Sequence, residues 1–211
     1  MNRRLLVPFV LLAPILAGCL VKDTTHRLYL SPDGAVEWTA LERDVRSLDN
    51  VPAERLREEQ VYLNAVQAGT HSILEGLRRL QPDQASVRLL RAERPYAAMV
   101  DARFQRADVM IGKLFEELRI PGSATLRHHA GEATLTIAID LSAVADKDEE
   151  PDSPVAALVE DFDRYRIVLT SGRFTSAEGF ALVDEGTAAD LRPELVPVDR
   201  PAELRLTWKV R

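Results

Sequence analysis

Apolar and polar positions alternate with period two over much of this chain and follow a helical period in a few stretches. From Arg27 onward, Leu28 and Leu30 fall on one face and Tyr29 on the other. Ser31-Pro32-Asp33-Gly34 then supplies turn chemistry, proline presetting φ and glycine accepting positive φ. Val36, Trp38 and Ala40 resume the alternation. The spacing predicts a β-hairpin over 27–31 and 35–45. Val51-Pro52-Ala53-Glu54 opens a predicted long helix over 52–81. In it Leu63, Val66, Ile73, Leu74, Leu77 and Leu80 recur at spacings of three, four and seven. Gly69 interrupts this stripe at a cost of about 1 kcal/mol relative to alanine and marks a break or a close contact.

Strands are expected at 85–91 and 95–104, then a helix at 106–118 through Val109, Met110, Leu114, Phe115 and Leu118. Two further strands follow at 123–129 and 132–141, where Leu135, Ile137, Ile139 and Leu141 alternate with Thr134, Thr136, Ala138 and Asp140. Beyond an acidic loop at 146–152, a short helix is expected at 154–162. Strands are expected at 165–169, 173–177, 179–184 and 203–210. Strands with short turns, interrupted by helices, indicate an α+β fold. The expected form is an antiparallel sheet of short strands packed against one long helix and one or two shorter ones. Residues 27–211 are expected to form a single domain.

The first nineteen residues follow another logic. Arg3 and Arg4 precede an apolar run from Leu5 to Leu16, which ends in Leu16-Ala17-Gly18-Cys19. About 12 apolar residues make a helix of about 18 Å, too short for a hydrocarbon core of about 30 Å. A charged start, a short apolar middle and small residues before a cut read as a secretory signal. Cys19 is the one cysteine in the chain.

This segment resembles a bacterial lipoprotein signal peptide with its lipobox. The resemblance implies cleavage between Gly18 and Cys19, a diacylglyceryl thioether on the Cys19 thiol, and fatty acylation, as with palmitate, on its amine. Residues 1–18 are then the signal, and residues 19–26 the lipidated cysteine and a tether. Two or more acyl chains anchor a protein stably, at about 0.8 kcal/mol per buried CH₂. Leu20 stands where an aspartate would favour retention in an inner membrane, which points to the outer membrane if the source has one.

Composition narrows the partners. The chain carries 27 Lys+Arg against 33 Asp+Glu, a net charge of −6. The signal holds two arginines and no acid, so the mature chain is more negative still. Such a surface does not favour nucleic acid, and no basic run overrides it. Hydrophobic residues make up 46% and aromatic ones 6%, enough for a core that is mostly aliphatic.

Candidate chemistry is sparse. His128-His129 lie on a predicted strand, where adjacent side chains point to opposite faces, so the two do not chelate one ion. His71 stands four residues before Glu75 on the long helix and reads as a surface pair. Asp146, Asp148 and Glu150 have the spacing of a calcium loop. Its sixth position, however, is Pro151 rather than glycine, and its twelfth is Ala157 rather than glutamate. No Gly-x-Ser-x-Gly elbow and no glycine-rich phosphate loop occur. We therefore expect no catalytic residue, no cofactor and no metal.

The N-terminal hairpin with its Pro-Asp-Gly turn, the following helix, and the tail Arg166-Ile167-Val168-Leu169-Thr170-Ser171-Gly172-Arg173-Phe174 with Trp208 resemble LppM-like bacterial lipoprotein domains. The helix at 52–81 is longer than that resemblance implies, and it brings no catalytic residues. Three functions follow as expectations: a non-catalytic envelope binding or interaction protein, a carrier or assembly factor for lipid or another apolar ligand, and an enzyme with a dispersed site. Leu63, Val66, Ile73, Leu74 and Leu77 are the expected wall of any apolar ligand site. A polar, closed interface between sheet and helix would favour the first; a continuous apolar cavity would favour the second.

Overall fold

A computed structural model describes residues 20–142, 164–192, 196–197 and 199–210. The segment expected to be a signal peptide, with Gly18 and Cys19, the acidic loop and the helix expected at 154–162 lie outside these residues. Eleven strands and three α-helices are described. Strand β1 (Leu20–Leu30) pairs antiparallel with β2 (Val36–Ser47) around the expected turn. There Gly34 N–H donates to Ser31 O at 2.9 Å, and Gly34 takes φ 94°. The hairpin is longer than its alternation suggested. Residues 20–26, expected as a tether, are strand, because β2 offers them partners from Leu20↔Ser47 onward, with one bulge between Val21 and Asp23.

The helix expected over 52–81 is two helices, α1 (Pro52–Ala68) and α2 (Ser72–Arg79). Gly69 ends α1 in the left-handed region at φ 67°, where a side chain would be strained. Thr70 N–H donates to Ala65 O and Gly69 N–H to Val66 O, the pattern of a Schellman cap. The periodic stripe survives the break, but its two halves enter different places. Leu63 and Val66 join a small cluster with Val45, Tyr62 and Ala98. Leu74, Leu77 and Leu80 enter the main core, with Ile73 packed against it.

Strands β3 (Gln84–Arg91) and β4 (Tyr96–Phe104) follow, then α3 (Ala107–Leu118), β5 (Gly122–His129) and β6 (Glu132–Ile139). The chain ends in β7 (Tyr165–Leu169), β8 (Phe174–Glu178), β9 (Phe180–Val183), β10 (Ala188–Leu191) and β11 (Ala202–Lys209). These do not form one sheet. A seven-stranded sheet has the order β3-β4-β2-β1-β7-β10-β9, and a four-stranded sheet the order β5-β6-β11-β8. Pairing is antiparallel except between β1 and β7, which run parallel. The chain crosses between sheets at Gly179, between β8 and β9. Its φ is 79°, and a Cβ there would lie 2.2 Å from Leu204 Cδ2.

One main core joins both sheets, α2 and α3. Trp38, Val100 and Leu30 enter it from the large sheet, Leu135, Leu206 and Trp208 from the small one, and Met110 and Phe115 from α3. Trp208 pins the two together, because its Nε1 donates to Pro32 O at 3.1 Å. Among the described residues no helix is long and apolar enough to cross a membrane.

Candidate functional site

The core is incomplete where the two sheets and α3 meet. A cavity of about 120 Å³ lies there. Leu28, Trp38, Tyr165 and Ile167 line it from the large sheet, Ile137, Ile139 and Leu204 from the small one, and Met110, Ile111, Leu114 and Phe115 from α3. Among the described residues the wall presents only apolar atoms to the cavity. The polar edge of Trp38 is occupied elsewhere, donating from Nε1 to His26 Nδ1 at 3.1 Å. The His26 ring stacks on Tyr165 with centroids 4.5 Å apart. Alternation explains the lining, since Leu28, Ile137, Ile139 and Leu204 all sit at inward positions of their strands.

None of the five residues expected as a ligand wall lines this cavity. Ile73 borders a separate hollow with Leu20, Lys22, Thr24 and His26, while Leu74 and Leu77 pack in the main core and Leu63 and Val66 in the small cluster. Helix α3, not the long N-terminal helical segment, forms the helical wall. The signal available in the sequence was the apolar face of α3 together with the inward residues of β6.

A second feature is polar and buried. Glu42, with no exposed surface, accepts from Lys22 Nζ at 2.6 Å, from the Tyr62 hydroxyl at 2.9 Å and from His71 Nε2 at 3.0 Å. An ionised carboxylate only accepts, so His71 carries its proton on Nε2. Its Nδ1 is buried without a partner. Burial alone would raise the Glu42 carboxyl. The hydrogen bond from His71 and the charge and hydrogen bond of Lys22 outweigh it and hold the pKa at about 2. The same burial, with the Glu42 charge beside it, pushes the Tyr62 hydroxyl up. His71 is therefore no surface partner of Glu75. It is buried at the start of α2 and reaches 29 residues back to β2.

Glu42 was legible in principle, since it continues the inward parity of Val36, Trp38 and Ala40. The phase changes after it, at a bulge where Asp44 takes φ 53°. The cluster ties β1, β2, α1 and α2 together and borders no part of the apolar cavity.

The outer face of the small sheet is a broad polar hollow of about 860 Å³, carrying Thr125, Thr134, Thr136, Thr207, Arg127 and Arg205. Arg205 already pairs with Glu178 and Glu203. His128 and His129 are both exposed at the end of β5, with His129 at the rim of this hollow. Among the described residues no group of three or more His, Cys, Asp or Glu converges on a metal-sized site.

No protein-family model matches this chain, and no curated protein matches it. Among solved structures it is similar to the NMR structure of the folded domain of LppM from Mycobacterium tuberculosis, with a TM-score of 0.41, 12% identity and 90% of each chain covered.

Proposed function

We propose that this protein is a lipid-anchored lipoprotein of the cell envelope whose folded domain is a non-catalytic carrier, receiving the end of one alkyl chain between its two sheets. The observation that supports this reading is the wholly apolar cavity. A cavity of about 150 Å³ lined by aliphatic and aromatic side chains stays dry and takes benzene. One of about 120 Å³ takes a group slightly smaller, about four carbons of a straight chain. At about 0.8 kcal/mol per buried CH₂, such a group contributes about 3 kcal/mol. That is too little for tight capture on its own. The rest of the ligand must lie against the protein, or the membrane must hold it at high local concentration.

Anchoring through Cys19 rests on the lipobox. Leu20 in place of an aspartate favours the outer membrane where two membranes exist. The test is to purify the full lipoprotein from its own membranes in mild detergent and analyse its organic extract by mass spectrometry. The expected result is one class of alkyl-chain molecule, reduced in an Ile137→Phe variant whose larger side chain narrows the cavity. Equal amounts of lipid in both forms would overturn the reading.

A further inference from the structure

Exposed large apolar side chains gather at one end of the large sheet. Val21, Leu48, Val51, Leu56 and Leu90 are 42%, 57%, 54%, 67% and 50% exposed. The register puts Val21 and Leu90 at this end of the sheet, and Leu48, Val51 and Leu56 follow directly from the last paired residue of β2. Leu20 pairs with Ser47, Val21 with Arg46, and Val45 with Tyr96. Leu90 lies between Leu89, opposite Ala98, and Arg91, opposite Ala97.

The chain leaves β2 at Ser47 and returns to the same level at Glu59. There the Ser47 N–H donates to Glu59 Oε1 at 3.0 Å, and Arg94 Nε holds the same oxygen at 2.8 Å. Residues 48–58 between these points therefore stand beyond the strand ends as a lobe. It carries Leu48 and Val51 in its loop and Leu56 on the first turns of α1. The helical part of the lobe, residues 52–58, spans about 10 Å at 1.5 Å per residue.

The anchor leaves the domain at this same end. Leu20 is already in β1, hydrogen-bonded into the sheet beside Ser47 at the base of the lobe. A peptide bond separates consecutive Cα atoms by about 3.8 Å, so a lipid on residue 19 meets the sheet with no spacer.

We infer that the lobe formed by residues 48–58 is a membrane-docking edge that inserts into the bilayer interface next to the Cys19 anchor. This rests on the lipoprotein reading above. The occupant is lipid rather than a second copy of the chain, because the anchor forces this edge against the bilayer whatever else the domain does. The charges on the lobe are mixed, Arg55 and Arg57 against Asp49, Glu54 and Glu58, with Arg57 paired to Glu54 at 2.6 Å. The contact is thus apolar and needs no anionic lipid. It also sets a height. The cavity begins at Leu28, eight residues along β1 from Leu20, or up to about 27 Å at 3.4 Å per residue. With the lobe down, the cavity serves chains that have left the bilayer rather than chains embedded in it.

The test uses the full lipoprotein in phosphatidylcholine vesicles. Acylation of Cys19 leaves no other thiol, so Leu48→Cys, Val51→Cys and Leu56→Cys each carry one environment-sensitive fluorophore. Leu182→Cys, an exposed apolar site on β9, is the control. An apolar face at an interface sits about 5–10 Å deep, so quenching by spin-labelled lipid at 51 and 56 should exceed that at 182 by about threefold or more. Quenching at 48, 51 and 56 equal to that at 182 overturns the proposal. So does emission already shifted without vesicles and unquenched by labelled lipid, which would place a second copy on the lobe. Flotation of the unlabelled chain against Cys19→Ser tests lipidation separately. If that reading fails, a histidine tag replacing residues 1–19 anchors the same variants to nickel-chelating lipid. The same quenching comparison then tests docking of the lobe independently of the natural anchor.

Discussion

Replacing Glu42 by glutamine is the sharpest test of the buried polar cluster. The carboxylate is fully buried and accepts from Lys22, Tyr62 and His71. Its pKa falls from an ordinary 4.5 to about 2. At 1.36 kcal/mol per unit, that shift corresponds to about 3 kcal/mol of stability at neutral pH. Glutamine keeps the shape but loses the charge, and it turns an NH₂ toward groups that are themselves donors. Glu42→Gln should therefore cost about 3 kcal/mol or more at pH 7.

A lowered carboxylate pKa contributes stability that is present above the unfolded value and is lost as pH falls through the folded one. The gap between wild type and Glu42→Gln should thus hold above about pH 5, shrink below about pH 4.5 and close near pH 2. Titration of the other acids cancels in this difference. Urea unfolding followed by the fluorescence of the buried Trp38 and Trp208 measures it. A gap under about 1 kcal/mol at pH 7, or one unchanged down to pH 2.5, would mean that the three donors do not stabilise an ionised Glu42.

Leu74→Ala, at a site 1% exposed, should cost about 2–5 kcal/mol, while exposed Arg78→Ala should stay within about 0.5 kcal/mol; equal effects in urea would mean that α2 does not cover the core. Gly179→Ala should destabilise by more than about 1 kcal/mol, because its φ is positive and the new Cβ meets Leu204; a neutral result would show that the crossing between sheets has room to yield. In cells, Cys19→Ser should yield an unprocessed or soluble species; normal cleavage with unchanged detergent partitioning would contradict lipidation.

The local elements were largely legible. The Ser31–Gly34 turn announces its hairpin through proline and glycine, and α3 and β6 announce themselves through clean periodicity. Gly69 was visible as an interruption. A weak stripe on α1, burying only Glu59, Tyr62 and Val66, could not decide between a bend and a straight helix. Alternation reports which face of a strand is buried, not which strand lies beside it. The division into two sheets, the parallel pairing of β1 with β7 and the short strand β10 were therefore hidden. So was the site. Its wall draws on β1, β2, α3, β6, β7, β9, β10 and β11, which only the fold brings together. Glu42 was hidden for the opposite reason: an acid at an inward position looks like a flaw in the pattern until its three donors are in place.

The carrier reading is tested most directly by ligand-linked stability. The mature chain is melted with and without a straight-chain alcohol at about ten times its dissociation constant, beside the Ile137→Phe variant. Binding to the native state alone adds about 1.4 kcal/mol at that ratio. For a domain of this size it raises the Tm by about 3–6 °C. That rise should appear in the wild type and be reduced in Ile137→Phe, whose larger side chain narrows the cavity. An equal rise in both, or none in the wild type at saturating alcohol, would contradict a carrier site between the sheets.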